Sequence, residues 1–392
     1  MRIVGIVSMV VRCLVTVLIA GLALGVLGTF LPDLPFLGLA TGFVPPVMSW
    51  VMIAAVVASA FALLAWWRRR GWFSGTLAVV AVVTVLAATV ANVRMIDAVE
   101  RAGAAVDVVD TLGVWAKGAA APDAEATYAT YEGEPLELSV YRPSSPSVPA
   151  PVLVFVHGGG WVAGIRDAHA ADMRWFADRG WLVITVDYAL SSADRHLWDV
   201  VEGQLGCALA WAATNAPRYG GDPARVSLSG DSAGGNLAIN VAYRRANGTL
   251  ESSCGGTLPE VAAVSTLYPA VDPADFYANP DFAMGDTSRA MAGAYTGGSP
   301  QEFPARYAAI AAATHLSASA PPTLILLGES DHLVPTGATY RFADAARAAG
   351  VDVELVAVPY ADHIFDARTG SVGQQAYRQL TAKWLREHGQ AP

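Results

Sequence analysis

The first quarter of the chain contains three long runs of apolar residues without a charged side chain. They extend over residues 13–31, 47–67 and 72–93. A helix rises about 1.5 Å per residue, so each run is long enough to cross a hydrocarbon core of about 30 Å. Because lipid offers the backbone no hydrogen-bond partner, such runs have to be helical. The pattern predicts a transmembrane domain of three helices over residues 1–93.

Basic residues are distributed unevenly around these runs. Arg2 precedes the first run and Arg68, Arg69 and Arg70 separate the second from the third, whereas the loop at 32–46 has no basic residue. Short basic loops remain in the cytoplasm, so the N-terminus and the arginine triplet are expected there. Three spans then carry everything after residue 93 to the other side. The sequence predicts a multi-pass protein of the cell membrane with an extracytoplasmic C-terminal domain.

The next stretch, residues 94–123, is interpreted as a connector helix followed by a linker. Apolar residues recur at roughly helical spacing from residue 95 to 112, interrupted by acidic ones, and the sequence GAAAPD at 118–123 is typical of a linker. A separate domain is therefore expected over residues 124–392.

Residues 124–392 alternate short β-branched runs with stretches of helical periodicity. Strands are predicted at 127–131, 136–141, 151–157, 181–186, 225–229, 261–268, 323–327 and 353–358, and helices at 169–179, 199–215, 233–246, 336–349 and 374–388. This alternation predicts an α/β fold with a mostly parallel sheet of about eight strands and helices on both faces. Ligands bind beyond the carboxyl ends of such strands, so the residues that follow each strand are the candidates for function.

The composition agrees with a membrane segment joined to an acidic domain. Hydrophobic residues make up 54% of the 392 positions and charged residues only 15%, against about 25% in soluble domains. The net charge is −9, and residues 94–392 contain no run rich in Lys or Arg, which excludes nucleic acid as a partner. No C-x-x-C or H-E-x-x-H pattern occurs, so neither a metal nor another cofactor is expected.

A candidate nucleophile follows the strand predicted at 225–229. The sequence GDSAG at 230–234 fits G-x-S-x-G, in which a sharp strand-to-helix turn holds the serine in a strained backbone conformation. The hydroxyl of Ser232 would then be exposed above the sheet, at the start of a helix. An ordinary Gly/Ser turn is the alternative. The position between a predicted strand and a predicted helix favours a nucleophile.

A glycine-rich sequence, HGGGW at 157–161, follows the strand predicted at 151–157. Acyl transfer places negative charge on a carbonyl oxygen, and glycine N–H groups can approach that oxygen closely. Gly158 and Gly159, together with the N–H of Ala233, are the predicted oxyanion hole. His157 is expected to order this loop rather than to act as a base.

A serine hydroxyl needs a base, and the base needs an acid that orients it. In hydrolases with this serine motif, the acid and then the histidine follow the serine along the chain. Four histidines follow Ser232, but only His363 comes shortly after a late strand, so it is the predicted base. Asp331, in the loop after the 323–327 strand, is the predicted acid, and Glu329 is the reserve. Two further acidic residues near the base are expected to be solvated loop charges, namely Asp362 and Asp366.

Five separated motifs resemble the hormone-sensitive-lipase-like esterase group of the α/β-hydrolase superfamily. They are HGGGW at 157–161, VDYAL at 186–190, GDSAGGN at 230–236, PPTLILLGESDHLVP at 321–335 and the late His363. The resemblance covers about residues 127–388. It implies an α/β-hydrolase fold and a serine carboxylesterase with the triad Ser232, Asp331 and His363. SSADRH after VDYAL and the apolar runs in place of N-terminal cap helices depart from the family, which leaves the substrate open.

The stretch at 272–314, between two predicted strands, has two interpretations. It forms a small lid over the site, or its aromatic side chains belong to the ordinary core. The aromatic residues concerned are Phe276, Tyr277, Phe282 and Tyr295.

The function expected from the sequence is that of a membrane-anchored serine hydrolase of small-molecule or lipid esters, acting through an acyl-enzyme on Ser232. Amide or formamide hydrolysis and acyl transfer use the same residues and are the nearest alternatives. A catalytically silent hydrolase-fold sensor is a further alternative. Nothing in the sequence indicates the oligomeric state.

Two cysteines fall in the predicted catalytic domain. Cys207 lies in the helix before the nucleophile strand and Cys254 in the loop after the nucleophile helix. An extracytoplasmic domain permits a disulfide between them, and two unpaired thiols are the alternative.

Overall fold

The computed structural model describes residues 2–113, 121–144 and 148–392, and residues 118–120 of the predicted linker lie outside this part. The chain forms two compact units. The first, which we call the helical unit, comprises the described residues up to 113 together with 328–330 and 358–376. The second, the sheet unit, comprises the described residues of 121–327, 331–357 and 377–392.

Three long helices make up most of the helical unit. They are α1 (Arg2–Phe30), α2 (Met48–Arg69) and α3 (Trp72–Arg101). These helices cover the three predicted apolar runs, and each is long and apolar enough to cross a membrane. The 32–46 loop, with 3-10 turns at Gly38–Gly42 and Pro45–Val47, joins α1 to α2. Arg70 adopts a left-handed conformation (φ 50°), which ends α2 and lets the chain reverse into α3.

Small side chains form the contacts between these helices. Ala58, Ala62, Ala78 and Ala81 pack around Ile19, and a second cluster combines Ala88 and Ala91 with Val26 and Met48. Alanines let helix backbones approach closely, which is how helices associate in lipid, where hydrophobic exclusion from water is absent. Large apolar side chains, such as those of Leu14, Val57, Phe61 and Leu86, point outward. The helical unit therefore has the apolar exterior expected of a membrane-embedded bundle.

The predicted connector helix differs from the structure. Helix α3 continues without a break through Arg94 to Arg101, and the only regular structure between there and residue 113 is a 3-10 turn at Asp110–Leu112. The polar residues at 94–101 continue the 3.6-residue spacing of α3, so the change from apolar to charged side chains does not end the helix.

The sheet unit is built on eight strands. They are β1 (Ala124–Tyr131), β2 (Glu134–Tyr141), β3 (Ala150–Val156), β4 (Leu182–Val186), β5 (Gly221–Asp231), β6 (Val261–Leu267), β7 (Thr323–Gly328) and β8 (Val353–Val358). Their order is β1-β2-β4-β3-β5-β6-β7-β8. The pairs β1–β2 and β2–β4 are antiparallel, whereas β3–β4, β3–β5, β5–β6 and β6–β7 are parallel. All eight predicted strands are present.

Eight helices accompany this sheet. They are α4 (Ala170–Ala177), α5 (Val201–Asn215), α6 (Ser232–Ala246), α7 (Pro273–Tyr277), α8 (Gly285–Thr296), α9 (Pro304–Ile310), α10 (Thr336–Ala348) and α11 (Val372–Glu387). The five predicted helices correspond to α4, α5, α6, α10 and α11, while α7–α9 occupy the stretch at 272–314. Strands β3 and β4 are buried along their whole length, as expected of parallel strands covered on both faces.

Cys207 of α5 and Cys254, in the loop after α6, form a disulfide, with their Cα atoms 5.6 Å apart. The bond joins a core helix to a surface loop of the sheet unit. The sequence leaves open whether these two thiols are paired, and in the structure they are.

Candidate active site

Ser232 lies at the junction where β5 ends and α6 begins. Its backbone has a φ of 52°, in the left-handed region that residues with a Cβ rarely adopt. Such a conformation persists only where the surroundings enforce it, and it is common at functional sites. The predicted strained strand-to-helix turn is thus confirmed.

The glycines on either side of Ser232 allow this turn. A Cβ at position 234 would collide with the carbonyl oxygens of Val156 and His157, and one at position 230 would lie 2.5 Å from the carbonyl oxygen of Gly234. The end of β3 therefore passes directly against the start of α6. This close approach brings the glycine loop at 157–161 next to the serine.

The first glycine of that loop is held by the residue before the serine. The N–H of Gly158 donates to Oδ1 of Asp231 at 2.7 Å. Gly159 has a φ of 109°, and a Cβ there would collide with the carbonyl oxygen of Ala163. Asp231 therefore already binds one of the three amides predicted for the oxyanion hole. The loop conformation also demands glycine at position 159.

His157 contacts both the glycine loop and Tyr188. Its Nδ1 lies 2.7 Å from the carbonyl oxygen of Gly158, so this nitrogen carries the proton that it donates. The ring stacks on Tyr188 with centroids 4.4 Å apart, and Tyr188 donates its hydroxyl to the carbonyl oxygen of His157 at 3.0 Å. Burial lowers the pKa of His157. These contacts are compatible with a loop-ordering role for His157, which stays a prediction.

A series of contacts between ionisable side chains begins at Asp231. His169 lies between two carboxylates, with Nε2 at 3.8 Å from Oδ1 of Asp231 and Nδ1 at 3.3 Å from Oδ2 of Asp172. Arg378 of α11 then pairs with Asp172 at 2.6 Å. Burial alone would raise the pKa of Asp231, but His169 and the Gly158 N–H outweigh it and hold the pKa below its usual value. Asp231 is thus a stable anion beside the serine.

The sequence does not predict this series of contacts. Asp231 is the variable position of G-x-S-x-G, and His169 follows no strand, so neither position is singled out by the motif or by the strand-end rule. The one usable signal is that an acidic residue in a buried motif requires a partner.

Asp331 lies three residues after β7, in the loop where an acid is predicted. Its Oδ1 accepts the N–H groups of Leu333 (2.9 Å) and Val334 (2.8 Å), which fixes the carboxylate within its own turn. Asn279 supports this turn by donating to the carbonyl oxygens of His332 and Leu333. Glu329, the reserve acid, is exposed. The orientation of the Asp331 carboxylate is therefore the better defined of the two.

His363 is half-buried and lies in the loop after β8, in the part of the chain that belongs to the helical unit. The backbone N–H of His363 donates to Oδ1 of Asp362 at 2.7 Å. Ser232 and Asp331 belong to the sheet unit. The structure brings together Ser232, Ala233 and the 157–161 loop, and the convergence of the three triad residues stays a prediction.

Two acidic residues beside the histidine differ from expectation. Asp362 is only 8% exposed and Asp366 only 1%, so the interpretation of both as solvated loop charges is wrong. The Asp362 carboxylate accepts hydrogen bonds from the Thr41 hydroxyl and from the His363 N–H, which replace its water. Side-chain contacts so distant along the chain leave no trace in local hydropathy.

The aromatic residues of the 272–314 stretch divide between the core and the surface. Tyr295 stacks on Trp161 of the glycine loop, with centroids 4.8 Å apart and an interplanar angle of 1°, and Phe276 meets the same ring edge-on. Both are buried, whereas Phe282 is 48% exposed. Phe276 and Tyr295 therefore support the glycine loop through core packing, which is one of the two interpretations considered above.

The strand order, the turn at Ser232 and the glycine loop that packs against it define an α/β-hydrolase. The chain belongs to the BD-FAE family, whose sequence model matches residues 138–345, more than half of its length. The predicted fold and the resemblance to carboxylesterases are thereby confirmed.

Two of the curated relatives that the chain matches are named as esterases. Esterase LipC of Mycobacterium tuberculosis (strain ATCC 25618 / H37Rv) is 32% identical over 242 residues, which cover 58% of this chain and 57% of LipC. Esterase LipQ of the same organism is 28% identical over 225 residues, which cover 57% of this chain and 52% of LipQ. The chain thus spans about half the length of the curated relatives that it matches.

Among solved structures, the chain is similar to Thermogutta terrifontis esterase 2 phosphorylated by paraoxon. The TM-score is 0.56 at 24% sequence identity, and the match covers 68% of this chain and 95% of that protein. This likeness concerns the fold.

Proposed function

We propose that this protein is a serine hydrolase of carboxylic esters that forms an acyl-enzyme on Ser232. The observation that carries the proposal is the left-handed conformation of Ser232 between β5 and α6, directly against the glycine loop. The relatives named as esterases support it.

In the first half of the proposed reaction, the hydroxyl oxygen of Ser232 attacks the ester carbonyl while His363 accepts the hydroxyl proton. Asp331 orients the imidazole and stabilises its positive charge. The tetrahedral intermediate then loses the alcohol, which leaves with the proton from His363. The acyl group remains on the serine oxygen as an ester.

In the second half, water attacks the acyl-enzyme and gives a proton to His363. The intermediate breaks down to the carboxylic acid, and the proton returns to the serine oxygen. Both tetrahedral intermediates carry negative charge that backbone N–H groups can stabilise. Because Asp231 binds the Gly158 N–H, we assign this stabilisation to Gly159 and Ala233, with Asp231 holding the loop in place.

We further propose that α1–α3 anchor the enzyme in a membrane with the catalytic residues on the extracytoplasmic side. The arginine triplet at 68–70 lies at one end of α2, and the 32–46 loop, which has no basic residue, lies at the other. Within the helical unit, Thr41 of this loop contacts Asp362, next to His363. The disulfide between Cys207 and Cys254 agrees with an oxidising compartment.

Paraoxon labelling of the full-length protein in detergent tests the nucleophile. We expect diethylphosphorylation of the peptide that contains Ser232, together with hydrolysis of p-nitrophenyl acetate, and loss of both in Ser232→Ala. A wild type that is neither labelled nor active would refute the enzyme and favour the silent sensor. Labelling with hydrolysis of an anilide but not of the ester would favour an amidase.

Reporter fusions test the orientation. A C-terminal alkaline phosphatase is expected to be active and a C-terminal green fluorescent protein dark, since the former folds outside the cytoplasm and the latter inside. The opposite pair of results would overturn the proposed topology.

A further inference from the structure

The loop that follows β8 packs within the helical unit. Residues 358–376, which include His363, form one compact body with the three long helices and the 32–46 loop. The base of the proposed reaction is therefore carried by a segment whose neighbours lie in the first quarter of the chain. Two sets of contacts, around Asp362 and around Tyr360, make this attachment.

Asp362 links the 32–46 loop to the backbone of His363. Its Oδ2 accepts the hydroxyl of Thr41 at 2.8 Å, and its Oδ1 accepts the N–H of His363 at 2.7 Å. Thr41 is fully buried and Asp362 nearly so. Hydrogen bonds to a buried carboxylate are strong and directional, because water does not compete for them. One carboxylate thus transmits the position of Thr41 to the histidine.

Tyr360 makes the second attachment. Its hydroxyl accepts a hydrogen bond from Arg94 of α3 at 2.8 Å, and its ring lies against Phe30 at the end of α1, with centroids 4.9 Å apart. The ring also packs on the cluster of Val26, Met48, Ala88 and Ala91. Contacts with all three helices therefore converge on one residue, three positions before the histidine.

Further along the same segment, the attachment continues through backbone carbonyls. Arg368 donates to the carbonyl oxygens of Pro46 (3.3 Å) and Thr111 (3.0 Å). The side-chain amide of Gln375 exchanges two hydrogen bonds with the backbone of Asp107. The loop is thus held on both sides of His363.

We propose that the helical unit positions the catalytic histidine, with Thr41, Tyr360 and Asp362 as positioning residues, so that turnover depends on the packing of the membrane helices. This inference rests on the proposed function, in which His363 is the base. A base displaced by about 1 Å loses a large part of its effect, since proton transfer requires hydrogen-bond distance and alignment. The helices then control the reaction as well as anchoring the enzyme.

Thr41→Val, which keeps the shape of the side chain and removes its hydroxyl, tests the proposal in the full-length protein in phospholipid nanodiscs. We expect kcat for p-nitrophenyl acetate to fall about tenfold with KM nearly unchanged, and Thr41→Ser to restore it. The acidic limb of the pH profile of kcat reports the pKa of the base, and we expect this limb to shift as well. Thr84→Val is the matched control, because the Thr84 hydroxyl is buried in α3 and bonds only to Val80 of its own helix among the contacts described.

Tyr360→Phe provides a second test should Thr41→Val fail to fold. It removes the bond to Arg94 and keeps the ring on Phe30, and we expect a threefold to fivefold loss in kcat with unchanged thermal stability. Wild-type kinetics and pH profile in the folded variants would overturn the positioning role. A wild type without paraoxon labelling of Ser232 would instead refute the proposed function, so the two failures are distinguishable.

Discussion

The backbone N–H of Gly158 donates a hydrogen bond to Oδ1 of Asp231, the residue directly before Ser232, at 2.7 Å. The glycine loop after β3 and the serine turn after β5 are therefore joined by a hydrogen bond to a charged side chain. The contact is buried, and Asp231 stays ionised because its pKa is held low. This bond decides which amides remain to stabilise an oxyanion.

Replacement of Asp231 tests this arrangement. Asp231→Ala frees the loop, so we expect kcat for p-nitrophenyl acetate to fall about tenfold to a hundredfold, less than the roughly hundredfold to thousandfold loss that follows removal of an oxyanion-hole donor. Asp231→Asn keeps an acceptor oxygen and should retain most of the activity. Asp222→Ala, at the other end of β5, is the matched control and should behave as wild type. Unchanged or raised activity in Asp231→Ala would mean that the Gly158 N–H itself serves the oxyanion.

The serine turn should not tolerate a side chain at position 234. Gly234→Ala drives a methyl group into the carbonyl oxygens of Val156 and His157. We expect the free energy of unfolding to fall by roughly 1–3 kcal/mol and the activity to be lost. Gly203→Ala, in α5, is the control. The added Cβ would lie 3.5 Å from the Cβ of Ser253, which is an ordinary van der Waals distance. Thermal unfolding followed by near-UV circular dichroism compares the two. Equal midpoints would contradict the close approach of β3 to α6.

The lowered pKa of His157 predicts a pH-dependent stability. The unfolded chain protonates this histidine near its ordinary pKa of about 6.5, whereas the folded protein resists protonation until lower pH. The stabilisation is complete above about pH 6.5 and declines as the pH falls toward 5, with a slope of at most about 1.4 kcal/mol per pH unit. His157→Phe removes the titrating group and should flatten the decline in the unfolding midpoint between pH 7 and 5. An equally steep decline in this variant would rule out His157 as its source.

The disulfide should stabilise the sheet unit measurably. It closes a loop with a sequence separation of 47 residues, for which chain entropy gives about 4 kcal/mol. Cys254→Ser is expected to lower the unfolding midpoint under non-reducing conditions. Cys13→Ser, on the exposed surface of α1, is the control and should not. Maleimide should label one cysteine per chain before reduction and three after it, and three labels before reduction would show that the bond does not form in the cell.

The sheet and the serine turn were predictable because their signals are local. A buried parallel strand is a continuous apolar run, and Gly230, Ser232 and Gly234 satisfy a steric requirement within five positions. The apolar runs of α1–α3 follow from hydropathy alone. The sequence does not predict where α3 ends, because polar residues at helical spacing continue a helix as well as they begin a connector.

The contacts of Thr41 and His169 could not be predicted in this way. Thr41 meets Asp362 across 321 positions of sequence, and its hydroxyl lies in a loop that hydropathy treats as a simple turn. The same limit explains why the sequence wrongly predicts solvated charges at Asp362 and Asp366, since burial by a distant segment is invisible in the neighbouring residues. For the same reason, the proposed triad rests on chain order and family resemblance.

The attachment of Tyr360 to Phe30 of α1 and Arg94 of α3 bears on attempts to obtain a water-soluble form of the protein. A fragment that starts at residue 121 would lack Phe30, Thr41 and Arg94, leaving an aromatic ring and a buried carboxylate without the partners that cover them. Deleting residues 1–120 would therefore expose Tyr360 and Asp362 to solvent next to His363, the proposed base. Redesign of positions 360 and 362 for contact with water would have to accompany the truncation.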